Sequence, residues 1–374
     1  MPDINDTLLL NIAISKAKGV HAGTLRELME RVGTVKDLFT LSKAELSNLT
    51  GINTDLFSDS YRQSLLAEAE KEACFVRQNH IDAMFLDSDD YPSRLSNCED
   101  APTMLYKLGS CDTDSRYMIG IVGTRHATRY GADFARQLVK DLAAKLDHPV
   151  IVSGLAYGID VAAHRAAIEA GVPTIGVLAH ALNTIYPADH RSVAAKMTSS
   201  GGALITEYPT SARIYRGNFL SRNRIVAGLC DCLVVVESDY KGGSMSTARI
   251  AMQYNRDVFA VPGRVNDRYS QGTNKLIYNH TAMLLQDADQ LIEQMGWADE
   301  TKAPEAPTLF RSLTTEEEQI IEFITANPDV TVNDICVRMN KSYAALSDIL
   351  FQLEMDDLVS TLPGGRIEVT GLNN

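Results

Sequence analysis

The sequence predicts an α/β protein, a doubly wound and mainly parallel sheet carrying a helical N-terminal domain and a C-terminal winged helix. Three observations carry this. From about residue 115 to 261, short apolar runs rich in β-branched residues alternate with helix-length segments, the pattern of strands buried on both faces and joined by crossover helices. The first 80 residues hold short helical repeats that stop at glycines. The last 60 or so read as three helices and a hairpin turned by glycines.

Taken in order, Leu25, Leu28 and Met29 recur at helical spacing before Gly33, and Leu46 and Leu49 do so before Gly51. Short helices broken by glycine suggest a helix-hairpin-helix or SAM-like bundle over residues 1–80. Asn53 stands where a nucleic-acid-binding hairpin has its second glycine, and residues 1–100 carry 10 basic against 17 acidic groups. A structural or partner-binding role is expected for this domain. The central domain, 81–298, has strands expected at 118–122, 150–152, 174–178, 203–206, 232–236 and 258–261. Helices are expected at 131–146, 160–170, 189–199, 220–229 and 244–255. Residues 299–311, with Pro304 and Pro307, read as a polar linker. In 312–374, helices are expected at 315–326, 332–339 and 343–355, then a hairpin over 359–369 around Gly364-Gly365. A winged helix ordinarily reads duplex DNA. Residues 299–374 carry only 5 basic against 14 acidic groups, which argues for a protein partner instead.

Of the 374 residues, 45% are hydrophobic and 22% charged, as in a packed soluble protein. No apolar run approaches the ~20 residues of a membrane span, and residues 1–6 lack the basic start of a secretion signal. The six cysteines contain no CxxC pair, and Cys230 and Cys232, two apart in an expected strand, read as buried thiols rather than a metal site, so no metal or other cofactor is expected and the compartment is read as reducing cytoplasm. The net charge is −13, yet residues 201–280 carry 10 basic against 6 acidic groups, so attraction for anions belongs to the middle of the chain.

There, Arg213, Arg216, Arg222 and Arg224 surround Phe219 and Asn223. One reading is a helix start with solvated charges. The other is a site for something both anionic and flat, and single-stranded nucleic acid fits, with phosphates on the arginines and a base on the ring. Three further loops follow expected strands. Gly123-Thr124-Arg125 offers a close backbone, a hydroxyl and a forked cation. Ser153-Gly154 and Gly158 lead into a helix start that favours an anion, with spacing unlike the dinucleotide fingerprint. Lys241-Gly242-Gly243-Ser244 is another anion cradle without the ending of a P-loop. Asp160 reads as a helix cap and His164 as a packed histidine rather than as a catalytic pair. Glu207 is the one carboxylate expected near these loops, and a hydrolase of nucleotides or nucleoside phosphates built on it is the alternative to a binding protein.

These residues resemble the DNA processing protein A (DprA/Smf) family of bacteria. The matching motifs run in order from about residue 85 to 295: Tyr91-Pro92, 101–109, 121–125, 153–164, Tyr186-Pro187, 199–209, 219–228, 242–248, 261–263 and 272–274. The resemblance implies an extended Rossmann-like fold that binds single-stranded DNA without hydrolysing nucleotide. It implies a mediator that protects incoming strands during natural transformation, loads the RecA recombinase on them, and dimerises through the central domain. By the same resemblance Arg125 contacts phosphate, Phe219 stacks on a base behind the basic Arg216, and Arg222 with Asn223 completes the pocket. Two departures stand out. Gly242-Gly243-Ser244-Met245 replaces a serine-glycine-serine-leucine loop, and Asn279-His280-Thr281-Ala282 replaces a glycine-alanine start to the last strand.

Overall fold

All six expected apolar runs are neighbouring strands of one sheet in a computed structural model of the chain, which describes residues 5–298, 313–327, 330–355, 358–362 and 365–369. The sheet has nine strands: β1 (Asp82–Phe85), β2 (Met104–Gly109), β3 (Met118–Val122), β4 (Val150–Ser153), β5 (Thr174–Val177), β6 (Ala203–Thr206), β7 (Cys232–Val235), β8 (Asp257–Ala260) and β9 (Met283–Leu284). Their spatial order is β1-β2-β6-β5-β4-β3-β7-β8-β9. Seven strands are parallel, and β1 and β2 add an antiparallel edge beside β6. That edge pair was not expected from the sequence. Residues 118–122, 150–152 and 232–235 are buried throughout, which is why they consist of unbroken apolar runs.

Helices α1 (Thr7–Ser15), α2 (Ala22–Val32), α3 (Val35–Thr40), α4 (Lys43–Thr50) and α5 (Asp59–Gln78) precede the sheet. Gly33 and Gly51 end α2 and α4 with positive φ, which glycine adopts without strain. These helices share one contiguous hydrophobic core with the sheet. Polar clamps add to it. Arg26 makes a bidentate pair with Asp87, both contacts 2.8 Å. Buried Glu72 on α5 accepts from the Thr210 amide at 2.8 Å and from its hydroxyl.

Helices α6 (Ser93–Ser96), α7 (Arg129–Lys145), α8 (Ile159–Ala170), α9 (Arg191–Ser199), α10 (Arg216–Leu229), α11 (Gly243–Gln253), α12 (Gln271–Tyr278) and α13 (Ala288–Gln294) intersperse with the strands. The chain runs outward through β3, β4, β5 and β6, then returns to place β7 on the other side of β3. The crevice outside the C-terminal ends of β3 and β7 is thus the switch point at which such sheets bind ligands. No helix of the described residues is long and apolar enough to cross a membrane.

The chain divides into two compact units, Met1–Met295 and Gly296–Asn374. In the second, α14 (Thr315–Ala326), α15 (Val332–Met339) and α16 (Tyr343–Met355) pack with the hairpin β10 (Val359–Leu362) and β11 (Arg366–Val369) around their own core. Reciprocal capping boxes, Thr314 with Glu317 and Thr331 with Asp334, start α14 and α15. The expected linker, 299–311, and Gly364 of the hairpin turn lie outside the described residues.

Candidate nucleic-acid interface

The loop after β3 is built on a buried acid. Glu237, just past β7, is 3% exposed. Its carboxylate accepts from the Thr128 amide at 2.9 Å and hydroxyl at 2.5 Å, while its carbonyl accepts from the Thr124 amide at 2.7 Å. These bonds fix Gly123, Thr124 and Arg125 at the end of the strand. The next loop passes directly beneath. Gly158 has φ +79°, and a Cβ there would lie 2.1 Å from the Thr124 carbonyl, so only glycine fits.

Arg222 ties this arrangement together from inside. Its guanidinium is buried and donates to the Gly154 carbonyl at 2.5 Å and to the Val177 carbonyl. A Cβ on Gly154 would strike that guanidinium at 2.5 Å, which accounts for the glycine. Burial pushes the Asp160 carboxyl up from its usual range, opposed by neighbouring Arg222, and pushes the Arg222 guanidinium down, opposed by Asp160. Asp160 is a buried carboxyl in the field of Arg222 that accepts from the Ala156 amide at 3.4 Å. It is not the helix cap expected from sequence, because α8 starts one residue earlier with Gly158 at the cap position. His164 is packed as expected. Its Nδ1 lies 2.7 Å from the Thr174 hydroxyl, and desolvation depresses its pKa to about 3.

Helix α10 begins at Arg216, four residues earlier than expected, and that changes which side chains act together. Arg216, Phe219, Leu220 and Asn223 fall at helical spacing on one face and line an open cleft of about 1200 Å³. Asn218 anchors the helix start by donating to the Ala179 carbonyl at 3.1 Å and the Arg213 carbonyl at 3.0 Å. The Phe219 ring is half-buried. The Arg125 guanidinium stands 5.4 Å from the Phe219 centroid, and Tyr186 meets the ring edge-on at 5.7 Å.

On the far side, Lys241 is exposed, and the start of α11 follows Gly242. A Cβ on Gly242 would lie 2.4 Å from the Ser238 hydroxyl. Ser244 donates to that same hydroxyl at 2.8 Å, so its own hydroxyl is engaged inside the protein. Lys275 sits 3.9 Å over the Tyr240 ring, and its hydrogen bond lowers the Tyr240 pKa. Arg268 pairs with Asp239 at 2.7 Å, which holds that carboxyl below its usual range.

Of the residues singled out from sequence, the cleft brings together Gly123, Thr124, Arg125, Gly154, Arg216, Phe219, Arg222, Asn223, Lys241, Gly242, Gly243 and Ser244. Ser153, Gly158, Arg213 and Arg224 do not line it. Ser153 is buried and donates to the Ile121 carbonyl at 2.6 Å. Arg213 is exposed ahead of the helix. Arg224 lies on another face of α10 and meets Glu207 at 2.5 Å. Desolvation raises the Glu207 pKa against the pull of Arg224, so the carboxylate of the hydrolase alternative is locked in a half-buried pair outside the cleft. Sequence reasoning did not assign Glu237, Tyr186, Tyr215, Arg268 or Tyr269 to the site. Glu237, an acid directly after an apolar strand, Tyr215, inside the arginine-rich segment, and Tyr186, in the Tyr186-Pro187 motif, carry a local signal.

Fold and site define a doubly wound α/β protein with an open, cationic and aromatic cleft at the switch point of its sheet. Residues 82–296 match the family described as DNA recombination-mediator protein A, and residues 300–365 match the DprA winged helix domain. The chain belongs to this DprA/Smf family. Protein Smf of Escherichia coli (strain K12) is 30% identical over 305 residues, 80% of each chain. The X-ray structure of DNA processing protein A from Streptococcus pneumoniae superposes with a TM-score of 0.62 at 28% identity, covering 76% of this chain and 95% of that one. A Helicobacter pylori DNA processing protein A structure, described by its single-stranded DNA binding mode, gives a TM-score of 0.52 at 31% identity, covering 59% and 98%.

Proposed function

We propose that this chain binds single-stranded DNA in the cleft between the ends of β3 and β7, without strong sequence preference and without catalysis. The observation that carries the reading is the pairing of Arg125 with the Phe219 ring at the cleft floor. A ring with a cation on it takes the face of any base and the phosphate beside it, and neither contact reads sequence. Arg125 makes no ion pair among the described residues, so it can swing from the ring to a phosphate as a base arrives. Arg216 and Lys241 extend the positive rim, and the backbone at Gly123 and Gly243 offers amides to phosphate oxygens, while the Thr124 and Gly242 amides are held by the Glu237 and Asp239 carbonyls. In this reading Ser153, Gly154, Gly158, Arg222 and Ser244 shape the cleft from behind. Asn223 faces the base, and Arg213 guides the approach. Arg224 keeps Glu207 neutralised.

Family membership and the Helicobacter pylori relative support extending this to protection of single strands and loading of the RecA recombinase during transformation and recombination, in the cytoplasm. A homodimer through the central domain fits the exposed Met252, Tyr278 and Leu284 around the edge strand β9. The winged helix fits a protein partner. Helix α16 contains neither lysine nor arginine and exposes Tyr343, Phe351 and Met355. The test is a titration of single-stranded and duplex oligonucleotides of mixed sequence at several salt concentrations. Preferential single-strand binding that weakens with salt, with no base or phosphate released from mononucleotides, supports the reading. Release of either product, or tighter duplex binding, refutes it.

A further inference from the structure

The wall of the cleft formed by Arg268 and Tyr269 has a second side. A further open cleft of about 920 Å³ lies beyond it, and both residues line both clefts. Its floor is Tyr130, in the first turn of α7, whose hydroxyl donates to the Pro262 carbonyl at 2.8 Å. That bond fixes the far end of the ring, yet the residue remains 51% exposed. A tyrosine tethered through its hydroxyl with so much ring in solvent is a rigid platform rather than a packing residue. Arg264, on the turn after β8, is exposed and makes no ion pair among the described residues. Arg129 is 96% exposed and pairs with Asp133 on its own helix at 3.4 Å. Glu237 at the base is fully engaged by Thr128, which leaves Asp267 as the acid on the rim. The pattern of the main cleft, a ring beside an unpaired arginine at a glycine turn, is thus repeated where the turn after β8 meets the start of α7.

We infer that this second cleft is a continuation of the strand-binding path. A polynucleotide held at Phe219 crosses the Arg268–Tyr269 wall, stacks a further base on Tyr130 and places a phosphate on Arg264. The inference rests on the single-strand reading above and extends it. An open trough continuous with a first site suits a polymer, whereas a small ligand is better held by an enclosed pocket that buries most of its surface.

The experiment is a ladder of labelled oligothymidylates of increasing length, titrated by fluorescence anisotropy against the full chain and its Tyr130→Ala, Tyr130→Phe and Arg264→Ala variants. Wild-type affinity rises with length until the second cleft is covered. Tyr130→Ala then weakens the long oligonucleotides by about 5- to 150-fold, the equivalent of one stacked base, and leaves the shortest binding length unchanged. Tyr130→Phe keeps the ring but frees it from Pro262, and binds long oligonucleotides between wild type and Tyr130→Ala. Arg264→Ala lowers the salt slope by about 0.7 on long oligonucleotides alone. If Tyr130→Ala and Arg264→Ala bind long oligonucleotides as wild type does, the inference falls and the main cleft stands. If Tyr130→Phe loses as much as Tyr130→Ala, the ring is not the contact and the inference falls as well. If no length binds, both readings fall together.

Discussion

Replacing Arg222 by methionine separates a supporting role from a ligand contact. The Arg222 guanidinium is buried, donates to the carbonyls of Gly154 and Val177, and faces the buried carboxyl of Asp160. Methionine fills much of the same volume, so little packing is lost. What disappears is the donor for two buried carbonyls and the cation near Asp160. Stranding two buried carbonyls costs about 1–3 kcal/mol each, and Asp160 loses the cation that opposes its desolvation. With a urea slope of about 1–3 kcal/mol per molar, the unfolding midpoint of the Met1–Met295 unit drops by about 1 M or more. The assay is urea unfolding followed by far-UV circular dichroism, with hydrogen exchange at β4 and β5 to locate the loss. Asp160→Asn added to Arg222→Met recovers part of the stability, because it removes the uncompensated charge. An Arg222→Met protein that unfolds at the wild-type urea concentration but no longer binds single strands would refute the reasoning and make Arg222 a direct contact.

Three other perturbations have defined outcomes. His164 has a folded pKa of about 3 against an ordinary 6.5, so its contribution to stability is complete above 6.5 and is lost as the pH falls toward 3. His164→Gln therefore flattens the dependence of stability on pH across that window by up to about 1.4 kcal/mol per unit, measured by urea titrations at successive pH values. His180, also depressed by burial, keeps some slope in the variant. Gly158→Ala combines a positive φ with a clash on the Thr124 carbonyl. It costs about 1–3 kcal/mol of stability by thermal denaturation and weakens single-strand binding by shifting the Arg125 loop. Glu72→Ala frees Thr210 from α5 and loosens the segment that enters α10. Single-strand affinity falls while its salt slope stays as in wild type, because no phosphate contact is removed.

The central strands were legible in the sequence because burial on both faces leaves an unmistakable apolar run, as in 118–122 and 232–235. The edge pair was not. Strand β1 contains Asp82 and β2 contains Lys107, which meet as an ion pair at 3.3 Å, and edge strands of this kind show neither a continuous run nor a clean alternation. The arginine-rich segment around Phe219 was visible as a cluster, but its division into faces depends on the helix starting at Arg216. Once that phase is set, Arg222 points into the protein and Arg224 toward Glu207, while Arg216 and Asn223 face the cleft. The hydroxyls of Ser153 and Ser244 looked available for an anion, yet both donate inside the fold. Tyr186 and Tyr269 reach the cleft from loops distant in sequence from α10, so their convergence with Phe219 is a property of the topology alone.

The central claim is that the cleft at the switch point takes an unpaired strand with a base on the Phe219 ring. Its most direct measurement compares Phe219→Ala with wild type on a single-stranded oligonucleotide and on the same sequence as a duplex. The account predicts a loss of about 1–3 kcal/mol on the single strand, the value of one base stacked on an aromatic ring, and no change on the duplex, whose bases are already stacked. An unchanged single-strand affinity, or an equal loss on both forms, would contradict it.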